Sequence, residues 1–318
     1  MREALFVKQN SGKWRSYEQQ QTASPDELAE RFIDITNDLA YAKTFYPQSK
    51  TTAYLNGLAS VLHQSIYKNK KEDTNRFLTF WKFELPLLFH TYRRQLLYSL
   101  IFFLVFCAIG VLSAKYDDTF VRLILGDGYV NMTNENIAKG DPFGVYKQQG
   151  PVEMFFKIAA NNTYVALLMF VSGIFFCIGP VFFMLKNGIM IGSFEYYFFS
   201  KGLGMESILV IWIHGTLEIS AIIIAGGAGL VLGHGLLFPK TYTRFEAFKN
   251  SAKDGTKIAL GLVPIILLAA FFEGFVTRYT NMPAWLSISI LAGSLLFIVW
   301  YVIIYPSKIF KRNQFSQA

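Results

Sequence analysis

Long apolar runs, separated by short polar stretches, make up most of the chain beyond residue 97. A helix that crosses a bilayer needs roughly 20 consecutive apolar residues. Five runs have about that length: residues 97–114, 164–185, 208–238, 258–276 and 286–305. The pattern therefore predicts an all-α polytopic membrane protein, with a transmembrane helical bundle over residues 97–306.

Residues 1–74 show a different pattern, in which apolar positions recur at spacings of three and four. One helix is predicted to begin after Ser24 as its N-cap, with Pro25 in its first turn, and to end before Pro47. A second is expected near residues 52–69. The two apolar stripes are Leu28, Phe32, Ile35 and Leu39, and Leu55, Leu58, Leu62 and Ile66. Two amphipathic helices of this kind predict a cytosolic helical domain built on a hairpin.

Residues 75–96 connect these two regions and differ from both. They contain the aromatic-rich sequence "NRFLTFWKFELPLLFHTYRRQ", which Pro86 interrupts. We interpret them as an interfacial amphipathic helix that lies at the level of the lipid headgroups. The alternative is a third core helix of the N-terminal domain, because amphipathic pattern alone does not separate the two.

Charge indicates the topology. Only 16% of the residues are charged, and the net charge is +8. Basic residues of membrane proteins gather on cytoplasmic loops, so Arg93 and Arg94 place the N-terminal region in the cytoplasm. Residues 115–162, which have no strong basic excess, are then an extracytoplasmic loop.

The basic segment 239–257 would lie outside if only five runs crossed the membrane. A basic segment outside conflicts with the positive-inside rule. The conflict disappears if residues 188–202 also cross or re-enter the membrane, as a short span. About six membrane segments then put segment 239–257 in a cytoplasmic loop. Both termini, including the basic tail 307–318, also become cytoplasmic.

A histidine and a glutamate lie within the most apolar run, in "IHGTLEISAIIIAGGAGLVLGHG". His214 and Glu218 are four residues apart and share one face of a helix. Small residues follow near that face, and we expect them to make a close helix contact, because lipid offers no hydrophobic drive for helix association. The residues predicted for helix packing are Ala225, Gly226, Gly229 and Gly233.

Two further glutamates lie at membrane depth. Glu273 follows in the next helix, in "AAFFEGFVTR", and Glu195 lies in the short segment 188–202. With His214 and Glu218 they form a candidate buried polar cluster, which serves either as an ion or substrate site or as a hydrogen-bonded lock between helices. One histidine with carboxylates, and no visible groups to orient them, does not predict a metal site.

No sequence motif predicts catalysis. The chain has no HExxH, GxSxG or P-loop sequence. The glycines of "GGAGLVLG" lack the strand–helix setting of a dinucleotide fingerprint. We therefore expect a protein that is not an enzyme and that needs no cofactor.

Several segments resemble the stage II sporulation protein M family. They are "HGTLEISAIIIAGGAGLVLG", "NDLAYAKTFYP", "YLNGLASVLHQSIY", "KNGIMIG" and "FFEGFVT". The resemblance implies a bacterial cell-membrane protein, and by the family pattern the matched motif positions are His214, Gly215, Glu218, Gly229, Glu273 and Gly274. The namesake of the family works with protein partners in peptidoglycan remodelling.

Two functions remain open from the sequence. One is a transporter or channel-like protein that uses the buried His/Glu cluster. The other is a non-catalytic scaffold that recruits partners in cell-envelope remodelling. In either case we expect a multi-pass protein of the bacterial inner membrane. The expected partners are the lipid bilayer, envelope-remodelling proteins and further copies of the chain, and not nucleic acid.

Overall fold

The structure is a computed structural model that describes residues 2–19, 25–67, 76–117, 119–147, 149–280 and 282–315. The chain divides into two compact units, Met1–Arg76 and Phe77–Ala318.

The first unit contains helices α1 (Glu3–Gln19), α2 (Pro25–Phe45) and α3 (Lys50–Tyr67). The apolar stripe of α2 packs on Leu55, Leu58 and Leu62 of α3, and Phe6 and Trp14 of α1 complete the core. Ile66, the last residue of the predicted stripe, is exposed. The predicted cap Ser24 lies outside the described residues.

The second unit is also built from helices, with no strand in the part of the chain that the structure describes. Its membrane-length region comprises α6 (Arg93–Tyr116), α9 (Pro151–Val171), α10 (Ile178–Ser200), α11 (Gly204–Leu237), α12 (Arg244–Gly261), α13 (Val263–Phe271) and α14 (Ala284–Val299). The remaining helices are α4 (Arg76–Thr79), α5 (Leu85–Thr91), α7 (Phe120–Leu125), α8 (Asp127–Ala138) and α15 (Tyr305–Phe315). Short 3-10 turns cover Gly144–Lys147 and Ser172–Ile174, and π turns cover Phe80–Glu84, Phe272–Val276 and Trp300–Ile304.

Five helical segments are long and apolar enough to cross a membrane: Arg93–Tyr116, Pro151–Ile174, Gly204–Leu237, Arg244–Val276 and Ala284–Arg312. The predicted all-α polytopic class is thereby confirmed. Half of the most apolar stretch is buried in both α11 and the segment Arg244–Val276, against 17% for α6. Helix α11 packs against α6, α9, α10, α12, α13 and α14, so it is the central helix of the bundle.

The predicted span 164–185 is wrong, because the chain turns within it. Helix α9 starts earlier, at Pro151, so the predicted loop 115–162 ends before this residue. A turn follows at residues 172–177, where Phe176 and Cys177 have φ values of 51° and 70°. Pro180 then lies in the first turn of α10, where a missing backbone N–H is tolerated, whereas in a helix interior it would break the hydrogen-bond ladder.

The predicted short segment 188–202 is the second half of α10 and is not short. Helix α10 has 23 residues, which at 1.5 Å per residue is about 34 Å and exceeds the roughly 30 Å of a hydrocarbon core. Lys186, Asn187 and Glu195 interrupt its apolar sequence, and α10 is not among the five segments that are long and apolar enough to cross a membrane.

The predicted loop 239–257 is also largely helical, since α12 begins at Arg244 and runs on into α13. Its start is capped by Thr243, whose side-chain oxygen accepts a hydrogen bond from the backbone N–H of Glu246 at 3.3 Å. This T-x-x-E spacing is a helix-start signal that the charge-based interpretation overlooked.

Glycines of α11 make the closest helix contacts. A Cβ atom added at Gly229 would lie 2.5 Å from Pro180 Cγ and 2.6 Å from the Met169 carbonyl oxygen. A Cβ atom at Gly233 would lie 2.5 Å from the backbone nitrogen of Cys177. The turn between α9 and α10 therefore approaches α11 at positions where no side chain fits.

The other two predicted packing residues contact different neighbours. Gly226 faces Ser99 of α6 and Met184 of α10, at 2.7 Å and 2.8 Å from an added Cβ atom. Ala225 is fully buried in the main apolar core. Ser99 also donates a hydrogen bond to the carbonyl of Ile223 at 2.6 Å, which joins α6 to α11.

The segment predicted as interfacial belongs to the second unit from Phe77 onward. Leu85 and Phe89 of α5 are buried in its core. Trp81 Nε1 donates a hydrogen bond to the Gly261 carbonyl at 3.3 Å, and Tyr301 donates to the Trp81 carbonyl at 2.7 Å. The location of this segment at the headgroup level stays a prediction.

Candidate functional site: a buried histidine–glutamate cluster

His214 and Glu218 of α11 meet Glu273, which lies in the π turn after α13. One ligand-type atom from each of the three side chains lies within 4.8 Å of the others. His214 Nε2 is 3.9 Å from Glu273 Oε2, and the two side chains are 5% and 17% exposed. The structure thus brings together three of the four residues proposed from the sequence.

Local sequence explains this convergence. The four-residue spacing of His214 and Glu218 puts both on one face of α11. Glu273 belongs to a π turn, whose i→i+5 bond runs from the Thr277 N–H to the Phe272 carbonyl at 2.8 Å. An added Cβ atom at Gly274 would lie 3.0 Å from the Pro151 carbonyl, so glycine here permits the start of α9 to approach.

Thr277 orients the imidazole of His214. Its hydroxyl oxygen is hydrogen-bonded to His214 Nδ1 at 2.9 Å, and the threonine is 1% exposed. Because Nδ1 has this partner, Nε2 is the ring nitrogen that points toward Glu273. Thr277 follows Glu273 by four residues, so about one helical turn supplies both the carboxylate and the hydroxyl that face His214.

Tyr146 packs against the same imidazole from the loop between α8 and α9. Its ring centroid is 5.7 Å from that of His214, in an edge-on arrangement. Burial raises the pKa of the Tyr146 phenol well above its ordinary value. The hydroxyl is therefore neutral at physiological pH, and the ring covers the cluster from the loop side.

A cavity of about 640 Å³ opens beside the cluster, between α9, α10 and α11. His214 and Glu218 line it, together with Asn162 of α9 and Glu195 of α10. Apolar side chains form much of the remaining wall. Two members of the cluster are therefore reachable from a cavity large enough for water and small ions.

Glu195, the fourth proposed residue, does not join the cluster. Its Oε1 accepts a hydrogen bond from Trp212 Nε1 at 2.7 Å, and Ser207 Oγ lies 3.5 Å from its Oε2. It lines the same cavity as His214 but has partners of its own.

A second cavity, of about 610 Å³, lies beyond Thr277. Thr277 and Ile213 line it, as do the charged residues Asp141, Lys147 and Glu206. His214 lines the first cavity and Thr277 the second, so their hydrogen bond stands between the two.

Sequence reasoning missed Thr277, Tyr146 and Asn162. Thr277 was visible one turn beyond Glu273, and Asn162 is a polar residue at membrane depth in "AANNTYVALL". Tyr146 had no such signal, because only the tertiary contact brings its loop to α11.

Fold and site together define a polytopic α-helical membrane protein with titratable side chains gathered inside its bundle. The family model described as Stage II sporulation protein M matches residues 99–278. This is more than half of the 318 residues, and the chain belongs to this family. The match spans α6 to Thr277 and includes the whole cluster.

Residues 4–68 match a separate model, a domain of unknown function (DUF8413). This range lies within the first compact unit. No curated protein and no solved structure matches the chain.

Proposed function

We propose that this stage II sporulation protein M family member moves a small cation across the membrane through His214, Glu218 and Glu273, and that it is not an enzyme. One observation carries the proposal: three titratable side chains from two helices converge inside the bundle, where His214 and its partner Thr277 line different cavities.

Electrostatics favours a cation site over a simple lock. Two ionised carboxylates with oxygens within 4.8 Å of each other repel by about 3 kcal/mol or more at an effective dielectric constant of 20. A hydrogen bond between membrane helices contributes only about 0.6–2 kcal/mol. A proton or metal cation between the carboxylates removes the repulsion, so a cluster with two glutamates suits a cation better than it suits a lock.

The proposed location is the bacterial inner membrane, with both termini in the cytoplasm. If α10 is a sixth pass, three basic segments lie on the same side: the start of α6, the residues around the start of α12, and the tail after residue 305. These segments include Arg93, Arg94, Lys240, Arg244, Lys249, Lys253, Lys308, Lys311 and Arg312. The positive-inside rule places that side in the cytoplasm.

Cysteine labelling tests this topology. In a background with Cys107 and Cys177 replaced by alanine, Lys139→Cys should react with an impermeant maleimide added to intact cells or spheroplasts, and Lys249→Cys should not. Both lysines are exposed on the protein, so burial does not account for the difference. Labelling at position 249 from outside would contradict the six-pass arrangement.

Flux into liposomes tests the function. Purified protein is reconstituted into liposomes that contain a pH-sensitive dye or a zinc-sensitive dye. Protons or Zn²⁺ should enter these liposomes faster than they enter protein-free liposomes. Flux of neither cation would overturn the proposal.

Thr277→Val should lower that flux by about 10-fold or more, because groups that orient a ligand are worth about 10- to 100-fold. Thr216→Val is the matched control. This buried threonine donates its hydroxyl only to the Trp212 carbonyl of its own helix, at 2.7 Å. Equal flux in the two variants would show that orientation of His214 is unimportant.

A scaffold role in envelope remodelling is the second candidate. The first compact unit has its own apolar core and matches a separate domain model. A separately folded domain of this kind is suited to recruiting protein partners. The buried cluster does not account for the presence of such a domain.

A further inference from the structure

We propose that His214, Glu218 and Glu273 bind a divalent transition-metal cation, with Zn²⁺ as the ion that the site suits best. The inference rests on the proposed function and names its cation.

The ligand types select this class of ion. One imidazole nitrogen and two carboxylate oxygens are ligands that Zn²⁺ takes in proteins, and three protein ligands leave a fourth position open for water or for exchange. Mg²⁺ and Ca²⁺ prefer sites made of oxygen alone, and Cu⁺ prefers sulfur. Two glutamates also balance the double charge of the ion.

The imidazole is oriented as a metal ligand requires. Metal-binding histidines usually donate their other N–H to a fixed acceptor, which sets the tautomer and the ring orientation. Here Thr277 Oγ1 is that partner, 2.9 Å from Nδ1. With the proton on Nδ1, the lone pair of Nε2 faces Glu273 Oε2 at 3.9 Å, too far for a hydrogen bond.

The spacing fits an ion with a modest adjustment. Zinc at 2.0–2.2 Å from each ligand holds neighbouring ligand atoms about 3.4 Å apart. The three atoms lie within 4.8 Å of one another, so each pair closes by about 1.5 Å at most. Glutamate side-chain rotation supplies such a movement without a change in the helices.

Access is provided from the first cavity. His214 and Glu218 both line this space of about 640 Å³. An ion that enters it meets two ligands of one rigid helix, spaced i and i+4 as in helical zinc motifs. Glu273 then joins from the neighbouring helix.

Titration calorimetry on the full chain tests the proposal. The protein is purified in detergent without a polyhistidine tag, stripped with EDTA and titrated with ZnCl₂. We expect one Zn²⁺ per chain at this site, and Mg²⁺ in excess should not displace it. Glu273→Gln should weaken binding by about 100-fold or more, since even orienting groups are worth about 10- to 100-fold.

Two further variants make the result specific. His214→Asn should weaken Zn²⁺ binding as Glu273→Gln does, and Glu135→Gln, which changes an exposed glutamate of α8, should bind as the wild type does. Gel filtration and the melting temperature establish that each variant is folded. Absence of Zn²⁺ binding by the wild type would overturn the inference. So would binding that His214→Asn and Glu273→Gln both leave unchanged.

Binding and flux can fail separately. Zn²⁺ binding at the cluster without any cation flux would support the site and overturn the transport function. Proton flux without Zn²⁺ binding would support transport and overturn the metal site.

Discussion

Glu218→Gln is expected to abolish cation flux while the amount of folded, membrane-inserted protein stays at the wild-type level. Glutamine preserves the shape of the side chain and most of its hydrogen-bonding capacity, but it carries no charge and takes up no proton. If the cluster holds a cation, loss of one carboxylate removes the attraction that holds it. Flux into dye-loaded liposomes, normalised to protein recovered after gel filtration, measures the effect.

Glu218→Leu separates loss of charge from loss of hydrogen bonding. Leucine would remove the polar carboxyl group as well and put an apolar side chain beside Asn162, which lines the same cavity and whose buried amide nitrogen has no hydrogen-bond partner among the described residues. An unsatisfied buried polar group costs about 1–3 kcal/mol. We expect this variant to lose both stability and flux. A Glu218→Gln protein with wild-type flux, or one that complements a strain in which the gene is deleted, would favour a hydrogen-bonded lock between helices and the scaffold function.

Gly229→Leu and Gly233→Leu are each expected to prevent the bundle from packing. An added Cβ atom would already lie 2.5 Å from Pro180 Cγ or from the Cys177 backbone nitrogen. A leucine there pushes the α9–α10 turn away from α11, and overpacking of this kind costs about 1–3 kcal/mol, or more where backbone must move. The measurements are the yield of monodisperse protein after detergent extraction and its melting temperature.

Gly293→Leu provides the control for this pair. Gly293 is an exposed glycine within α14, and an added Cβ atom there meets nothing within 4 Å. Replacing a helical glycine improves helix propensity by up to about 1 kcal/mol, so this variant should be as stable as the wild type or more so. Equal losses at all three positions would show that leucine is harmful anywhere in these helices and that the contact at α11 is not special.

Part of the site could be predicted because it depends on spacing along one helix. His214 and Glu218 share a face of α11 wherever that helix lies, and helix geometry alone put Glu273 at a similar depth in the next span. Glu195 was grouped with them because it also lies at membrane depth. Depth does not decide contact: Glu195 accepts a hydrogen bond from Trp212 and is not part of the cluster.

Helix boundaries were less predictable where the local sequence is uniform in polarity. The turn at residues 172–177 is as apolar as the helices on either side, so the hydropathy pattern predicts one continuous helix there. Only Gly179 and Pro180 indicate that a new helix begins. The start of α12 shows the reverse case. Its charges indicated a loop, yet the Thr243 cap and the burial of Ala247 and Ile258 make it a helix.

The sequence by itself determined the class of the protein, because the bilayer requires long apolar helices with internally paired backbone groups. It also determined which residues are costly to bury and where small residues permit close contact. Only the tertiary structure decided that Thr277 orients His214, that Tyr146 covers it and that cavities lie on either side. These features depend on side chains separated by about 60 residues or more along the chain, such as His214 and Thr277, and no local pattern specifies which distant side chains will meet.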